Sequence, residues 1–300
     1  MSNIIAIIWD FDKTLISGYM EQPIFDDYGV NADDFWRETN SLPEKYLSEQ
    51  KVKVNPDTIY LNQIIRYVKD GRFKGLSNEK LRSYGAKLKY YHGVPEIFEK
   101  TNAIIVNNPE YVAYDIKLEH YIVSTGLTEI IRGSSVMKYV SGVWACEFIE
   151  DENHEISEIG YTIDNTTKTR ALFEINKGVG RIKGITVNMS LPEELRRVHF
   201  INMVYVADGP SDIPAFSLVN HNHGATFAIY PKGDIKAMKQ VEQMRKSGRV
   251  NMFAEADYSE GTTANMWLCN KIEEFADRIC NEKRQELEQF TSIKEPKHLV

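Results

Sequence analysis

Three carboxylates stand where apolar runs of the chain give out. Asp10 and Asp12 follow Ile4-Ile5-Ala6-Ile7-Ile8-Trp9, and Asp208 follows Met203-Val204-Tyr205-Val206-Ala207. Asp10 and Asp12 are two apart, so on an extended chain both side chains point to the same side. Carboxylates crowded together repel, and such a site either takes back a proton or holds a cation. Magnesium suits the second case: it takes oxygen ligands, is held by one or two carboxylates, and keeps waters that substrate phosphate can replace. Zinc would ask for histidine or cysteine. Cys146, Cys269 and Cys280 are scattered, and His221 and His223 sit in a polar stretch. Aspartate is also common where strands end, so the Asp10/Asp12 pair alone leaves turn chemistry open.

The elements that must position these groups are readable from hydrophobic pattern. Near-continuous apolar runs mark strands buried on both faces of a parallel sheet. Tyr121-Ile122-Val123 is another such run and leads into Ser124-Thr125-Gly126, and Ala225 to Tyr230 is a weaker one. Helical spacing marks Lys168 to Ile175 and Ile235 to Arg245. Alternating strands and helices predict an α/β fold with a doubly wound parallel sheet. Ligands of such sheets sit at the carboxyl ends of the strands. Three segments would therefore deliver Asp10, Asp12, Ser124 and Asp208 to one place.

The stretch 17–90 differs: aromatic and charged, with turn signals at Pro23, Gly29, Pro43, Pro56 and Gly71. It reads as an inserted, mostly helical unit. His92 to Phe98 reads as a turn with a helix starting at Pro95, where the core resumes. The alternation from Val143 to Ile163, around Glu150-Asp151-Glu152-Asn153, predicts a β-hairpin with a solvated acidic turn. Leu268, Ile272, Phe275 and Ile279 form a core-facing helical stripe, and beyond it the chain turns polar, with a frayed tail expected over 285–300.

Composition bounds the function. The 300 residues are 42% hydrophobic and 26% charged, ordinary for a globular chain. A net charge of −7 argues against a nucleic-acid partner, which needs a positive footprint. Ile4 to Ile8 is far shorter than the roughly 20 apolar residues of a membrane span, and it lacks the flanks of a signal peptide. A cytoplasmic protein with reduced thiols and no membrane partner is expected. The sequence is silent on oligomeric state.

Asp10-Phe11-Asp12-Lys13-Thr14-Leu15, Ser124-Thr125-Gly126, Lys168 and Asp208-Gly209-Pro210-Ser211-Asp212 together resemble the haloacid dehalogenase superfamily, in its phosphatase branch. The order of motifs is similar to phosphoserine phosphatase-like members. The resemblance implies a Rossmann-like catalytic core over 1–16 and 91–284, with a helical cap over 17–90. It implies a magnesium-dependent hydrolase of a small phosphorylated metabolite. Asp10 would be the nucleophile and Asp12 the general acid and base, its carbonyl also touching Mg2+. Ser124, Thr125 and Gly126 would hold the phosphoryl oxygens. Lys168 would offset charge, with Lys177 or Lys183 as substitutes because its gap to Asp208 is long. Asp10, Asp12 and Asp208 would hold the metal, and Asp212 would stand behind the metal or hold the lysine.

Rival readings are weaker. A carbon–halogen hydrolase has no use for Asp12 or a metal. A phosphotransferase or phosphonate hydrolase would share the core chemistry, and a non-catalytic binding protein would be expected to lose Asp10 or Asp208. Lys177-Gly178-Val179-Gly180 lacks the spacing of a phosphate loop and reads as a helix end. Tyr19, Met20 and Glu21 could enter the site as cap residues or pack within the cap.

Overall fold

The computed structural model describes residues 2–292. Among them, one sheet holds β1 (Ile4–Trp9), β2 (Lys117–Leu127), β3 (Val140–Glu150), β4 (Ile156–Tyr161), β5 (Met203–Ala207), β6 (Ala225–Tyr230) and β7 (Met252–Glu255). The order is β4-β3-β2-β1-β5-β6-β7, parallel except between β3 and β4. Central β1 is buried along its whole length, and its pleat divides the interior. Ile5, Ile7 and Trp9 face one core, while Ile4, Ala6 and Ile8 face the other.

Between β1 and the rest of the sheet come α1 (Gln22–Tyr28), α2 (Ala32–Gln50), α3 (Ile59–Lys69) and α4 (Asn78–Tyr84). The chain then forms α5 (Glu96–Val106), α6 (Pro109–Ala113), α7 (Thr128–Arg132), α8 (Lys168–Lys177), α9 (Ile213–His221), α10 (Ile235–Lys246) and α11 (Thr263–Ser292). Ile97 and Phe98 of α5 and Leu268, Ile272 and Phe275 of α11 pack on the Ile5 side. Leu172 of α8, Phe216 of α9 and Val241 of α10 pack on the Ile4 side. The sheet is thus wound on both faces, the α/β architecture the sequence predicts.

The α1–α4 stretch has an aromatic centre in which Phe25 and Phe35 ring centroids are 4.9 Å apart and those of Tyr67 and Phe73 are 5.0 Å apart. Its turn signals act as read at Pro23, in the first turn of α1, and at Gly29, the left-handed cap of α1. Pro43 does not break the chain; it lies inside α2. An internal proline costs about 3 kcal/mol, and burying Phe35 and Leu42 on the same helix, at ~1.5–3 kcal/mol each, offsets it.

Four departures from the sequence reading have physical causes. The hairpin of β3 and β4 is real, but β3 starts earlier and also pairs with β2, so the hairpin extends the main sheet. Its acidic turn is only partly solvated: Glu150 accepts from the Asn78 amide at 2.6 Å and Glu155 from the Gly75 amide at 2.7 Å, tying it to the helices. Strand β7 was invisible because four residues at the sheet's edge carry little pattern. Residues 285–292, expected as tail, continue α11, which Gln285, Glu286, Leu287, Glu288 and Gln289, all strong helix formers, favour. The remainder of the expected tail, 293–300, lies outside the described residues.

Gly93 shows why the turn before α5 needs its residue. Its φ is +80°, and a Cβ there would lie 2.2 Å from the Tyr258 carbonyl carbon. Tyr258 in turn donates its hydroxyl to the Thr14 carbonyl at 2.8 Å, bracing the loop that follows β1.

Candidate active site

Register brings the motif residues level with one another. Trp9 pairs with Ile122 on one side and with Val206 on the other, so Asp10 and Asp208 follow the ends of β1 and β5 at the level of Ser124, where β2 runs on to Leu127. The Asp10 amide still donates to the Val206 carbonyl at 2.9 Å, which fixes its backbone. Asp10 is 5% exposed. Its Oδ1 accepts from Lys168 Nζ at 2.7 Å and its Oδ2 from the Thr14 hydroxyl at 2.9 Å.

Lys168 is the first residue of α8 and is 1% exposed. Its ammonium bridges Asp10 and Asp212, lying 2.6 Å from Asp212 Oδ1. Tyr205 also donates to that oxygen at 2.6 Å, and Ser211 donates to Oδ2 at 2.9 Å. The substitutes for the lysine are elsewhere: Lys177 donates to the Val187 and Met189 carbonyls, and Lys183 is exposed.

The close carboxylate cluster holds Asp212 beside two of the expected metal-binding residues, Asp10 and Asp208. Ligand atoms of Asp10, Asp208 and Asp212 lie within 4.8 Å of one another. Asp212, expected behind the metal or on the lysine, does hold the lysine and also stands in this triad. The Asp12 carboxylate is not part of it; its Oδ1 accepts from the Met20 amide at 2.9 Å. The strand ends at Trp9, and past Asp12 a left-handed Lys13, with φ +55°, folds the loop back so that Lys13 N donates to the Gly18 carbonyl.

Ser124 is buried, and its hydroxyl accepts from the Gly126 amide at 3.0 Å. The Thr125 carbonyl accepts from the Tyr60 hydroxyl of α3 at 2.7 Å, a direct clasp between the helical stretch and the motif. Gly126 packs against Met20, whose Cε would be 2.2 Å from an added Cβ. Of the three residues after the first motif, Met20 and Glu21 are buried and Tyr19 is half exposed. His221 and His223 are both exposed, far from being buried ligands. Cys146 and Cys280 are buried and Cys269 is partly so, all three as free thiols.

Burial dominates the electrostatics. It pushes the Asp10 carboxyl up to about 6, against the pull of Lys168. Asp208 rises to about 7 through burial and the neighbouring Asp10 and Asp212 charges. Asp12 is held well above the usual carboxylate range by burial, Glu21 and Asp10. Burial likewise lifts Glu21 to about 7. Lys168 is disfavoured by burial, but Asp10 and Asp212 outweigh that and keep it charged. Three carboxylates facing one ammonium leave an excess of negative charge among oxygen donors, a donor set that fits a hard divalent cation.

Two solved structures share this architecture. One is a haloacid dehalogenase family hydrolase from Salmonella enterica subsp. enterica serovar Typhi, 14% identical, with a TM-score of 0.50 over 84% of this chain and 67% of that one. The other, a probable phosphoserine phosphatase from Vibrio cholerae in unliganded form, is 12% identical, with a TM-score of 0.52 over 92% of this chain and 66% of that one. The fold is that of the haloacid dehalogenase superfamily. The chain spans about two thirds of the length of each of these haloacid dehalogenase-fold proteins. An uncharacterized protein of Borreliella burgdorferi is 37% identical over 287 residues, covering 90% of this chain and 97% of the relative. The chain belongs to one family with that protein. No model of a known protein family matches it. Among the described residues, no helix is long and apolar enough to cross a membrane.

Signals for the site were present in the sequence except on the helical side. Tyr60, which clasps Thr125, and Trp36 and Thr39 near Asp12 carry no motif; only their shared surroundings mark them.

Proposed function

We propose that the protein is a magnesium-dependent phosphomonoesterase that hydrolyses a small organic phosphate through a phospho-aspartate on Asp10. The observation that carries this reading is the buried Asp10 carboxylate, held by Lys168 and Thr14 beside Asp208 and Asp212. A carboxylate so placed is a nucleophile of the aspartyl-phosphate kind. Each of its oxygens keeps a lone pair beyond the one that its donor uses.

One Asp10 oxygen forms a bond to phosphorus as the bond from phosphorus to the ester oxygen breaks. Asp12, whose raised pKa keeps a proton available, gives that proton to the departing alcohol. Asp12 then takes a proton from the water that attacks the phosphoryl group, and inorganic phosphate leaves with Asp10 restored. Ser124 and the Thr125 and Gly126 amides are suited to orient the phosphoryl oxygens. Lys168 holds Asp10 in place and offsets its charge, the main service phosphoryl transfer asks of a protein. Asp10 and Asp208, with the Asp12 carbonyl, would hold Mg2+, which would neutralise charge on the phosphate. The α1–α4 stretch would act as a cap that excludes water, held against the motif where Tyr60 donates to the Thr125 carbonyl.

The test is hydrolysis of an aryl phosphate with MgCl2 or with a chelator. Turnover is expected with the metal and at least a hundredfold less without it; no turnover in either condition would reject a phosphatase.

Stability offers a second check that needs no substrate. Asp10, Asp208 and Glu21 have folded-state pKa values above their ordinary ones of 3.8, 3.8 and 4.5. Between about pH 4 and 7 the folded chain therefore keeps protons that the unfolded chain has lost, and folding weakens as pH rises. A divalent cation removes that penalty at Asp10 and Asp208. The rise in Tm on adding MgCl2 is expected to be larger at pH 8 than at pH 5, and equal shifts would argue against a metal at these carboxylates.

A further inference from the structure

A cavity of about 160 Å3 opens between the Asp12 side of the motif loops and the helices α2 and α3. Asp12, Thr125 and Gly126 form its floor, so an alcohol leaving from the phosphoryl site would occupy it. Its volume is that of roughly five waters at ~30 Å3 each, enough for a small head group only.

The chemistry of its walls is one-sided. Tyr19, Trp36 and Tyr60 line it as a continuous aromatic face, with ring centroids 5.8 Å apart for the first pair and 6.0 Å for the second. Glu21 and Asp57 add carboxylates, and none of the lining residues is a lysine, arginine or histidine. The nearby Lys13, whose Nζ donates to the Tyr19 hydroxyl at 2.7 Å, is not among them. Glu21 is 2% exposed, and its Oε2 has no hydrogen-bond partner among the described residues. Thr39, also 2% exposed, has an unpartnered hydroxyl in the same wall.

A buried carboxylate oxygen without a partner is costly, and a ligand that supplies a cation relieves the cost. Aromatic faces around an ammonium attract it further. A substrate carboxylate would find like charge here and no cation to meet it. We propose that this cavity takes the ammonium head of a small amino-alcohol phosphate, with Glu21 as its counter-ion and Tyr19, Trp36 and Tyr60 as its walls. This selectivity rests on the phosphomonoesterase reading of the adjoining carboxylates.

Steady-state kinetics on four esters test it: O-phosphoethanolamine, phosphocholine, neutral ethyl phosphate and carboxylate-bearing O-phosphoserine. The better of the two ammonium esters is expected to exceed both ethyl phosphate and O-phosphoserine at least tenfold in kcat/KM. In Glu21→Gln the ratio to ethyl phosphate is expected to fall to within threefold. A wild-type protein that prefers ethyl phosphate or O-phosphoserine, or a ratio unmoved by Glu21→Gln, overturns the assignment. The wild-type ranking decides alone if that variant does not fold. Should none of the four esters turn over, the phosphatase reading falls and calorimetric titration of the wild-type protein with ethanolamine and choline decides the cavity. Saturable binding of either amine upholds the cation site, and binding of neither removes it.

Discussion

Asp10→Asn is expected to lower turnover of any phosphate ester by about 10^4-fold or more, the scale seen when a covalent nucleophile is removed, while leaving the fold intact. The substitution is nearly isosteric, and its hydrogen bonds can be kept. The amide oxygen can accept from Lys168 in place of Oδ1, and the amide nitrogen can donate to the Thr14 oxygen, whose hydroxyl is free to rotate. A buried negative charge disappears from a cluster that burial and neighbouring carboxylates already disfavour. The variant should therefore melt no lower than the wild type at pH 8 in chelator, and higher if relief of repulsion among Asp208, Asp212 and residue 10 outweighs the weakened pairing with Lys168. Activity lost with stability retained would separate a chemical role from a structural one. Acid-quenched protein after brief exposure to substrate should carry phosphate in the wild type and none in Asp10→Asn. Turnover within tenfold of wild type would remove the covalent mechanism.

What made this site legible was the coincidence of two local signals at each position: an apolar run that had to be a buried strand, and polar residues at its carboxyl end. Asp10, Ser124 and Asp208 each sit at such a junction, and the parallel register then places them at one level. Lys168 was legible only through motif order, since nothing in Thr167-Lys168-Thr169 says that the side chain goes inward; its burial depends on two carboxylates brought from residues 10 and 212. Asp12 was legible as a carboxyl close to Asp10, but its anchor on the Met20 amide was not, because a left-handed residue at Lys13, not a glycine, turns the chain back. Strand β3 was harder for another reason. Its first half pairs in parallel with β2 and its second half antiparallel with β4, so one segment satisfies two patterns at once. The pocket wall was least legible of all. Trp36, Thr39 and Tyr60 lie on two helices with the spacing of ordinary packing, and they acquire meaning only where those helices meet the motif loops.

Lys168→Met should be the most destabilising single change near the site, by about 3–5 kcal/mol in metal-free buffer. Methionine has similar length and packs well, so the cost is not a cavity. It comes from the two carboxylates that lose their common ammonium while remaining out of water, since Asp10 and Asp212 are 5% and 0% exposed. Asp212 retains the Tyr205 and Ser211 hydroxyls, and Asp10 retains Thr14, which softens the loss without supplying charge. The sign with pH follows from those partners. Without Lys168 the Asp10 carboxyl must rise further above its present value of about 6, so the variant keeps more protons when folded than the wild type does. Its deficit should therefore be greatest near pH 8 and shrink toward pH 5, where the carboxyls accept protons, and added MgCl2 should recover part of it at the higher pH. Denaturant melts at the two pH values measure all three effects. A deficit under 1 kcal/mol at pH 8 would mean that the lysine is not the charge that permits these carboxylates to be buried.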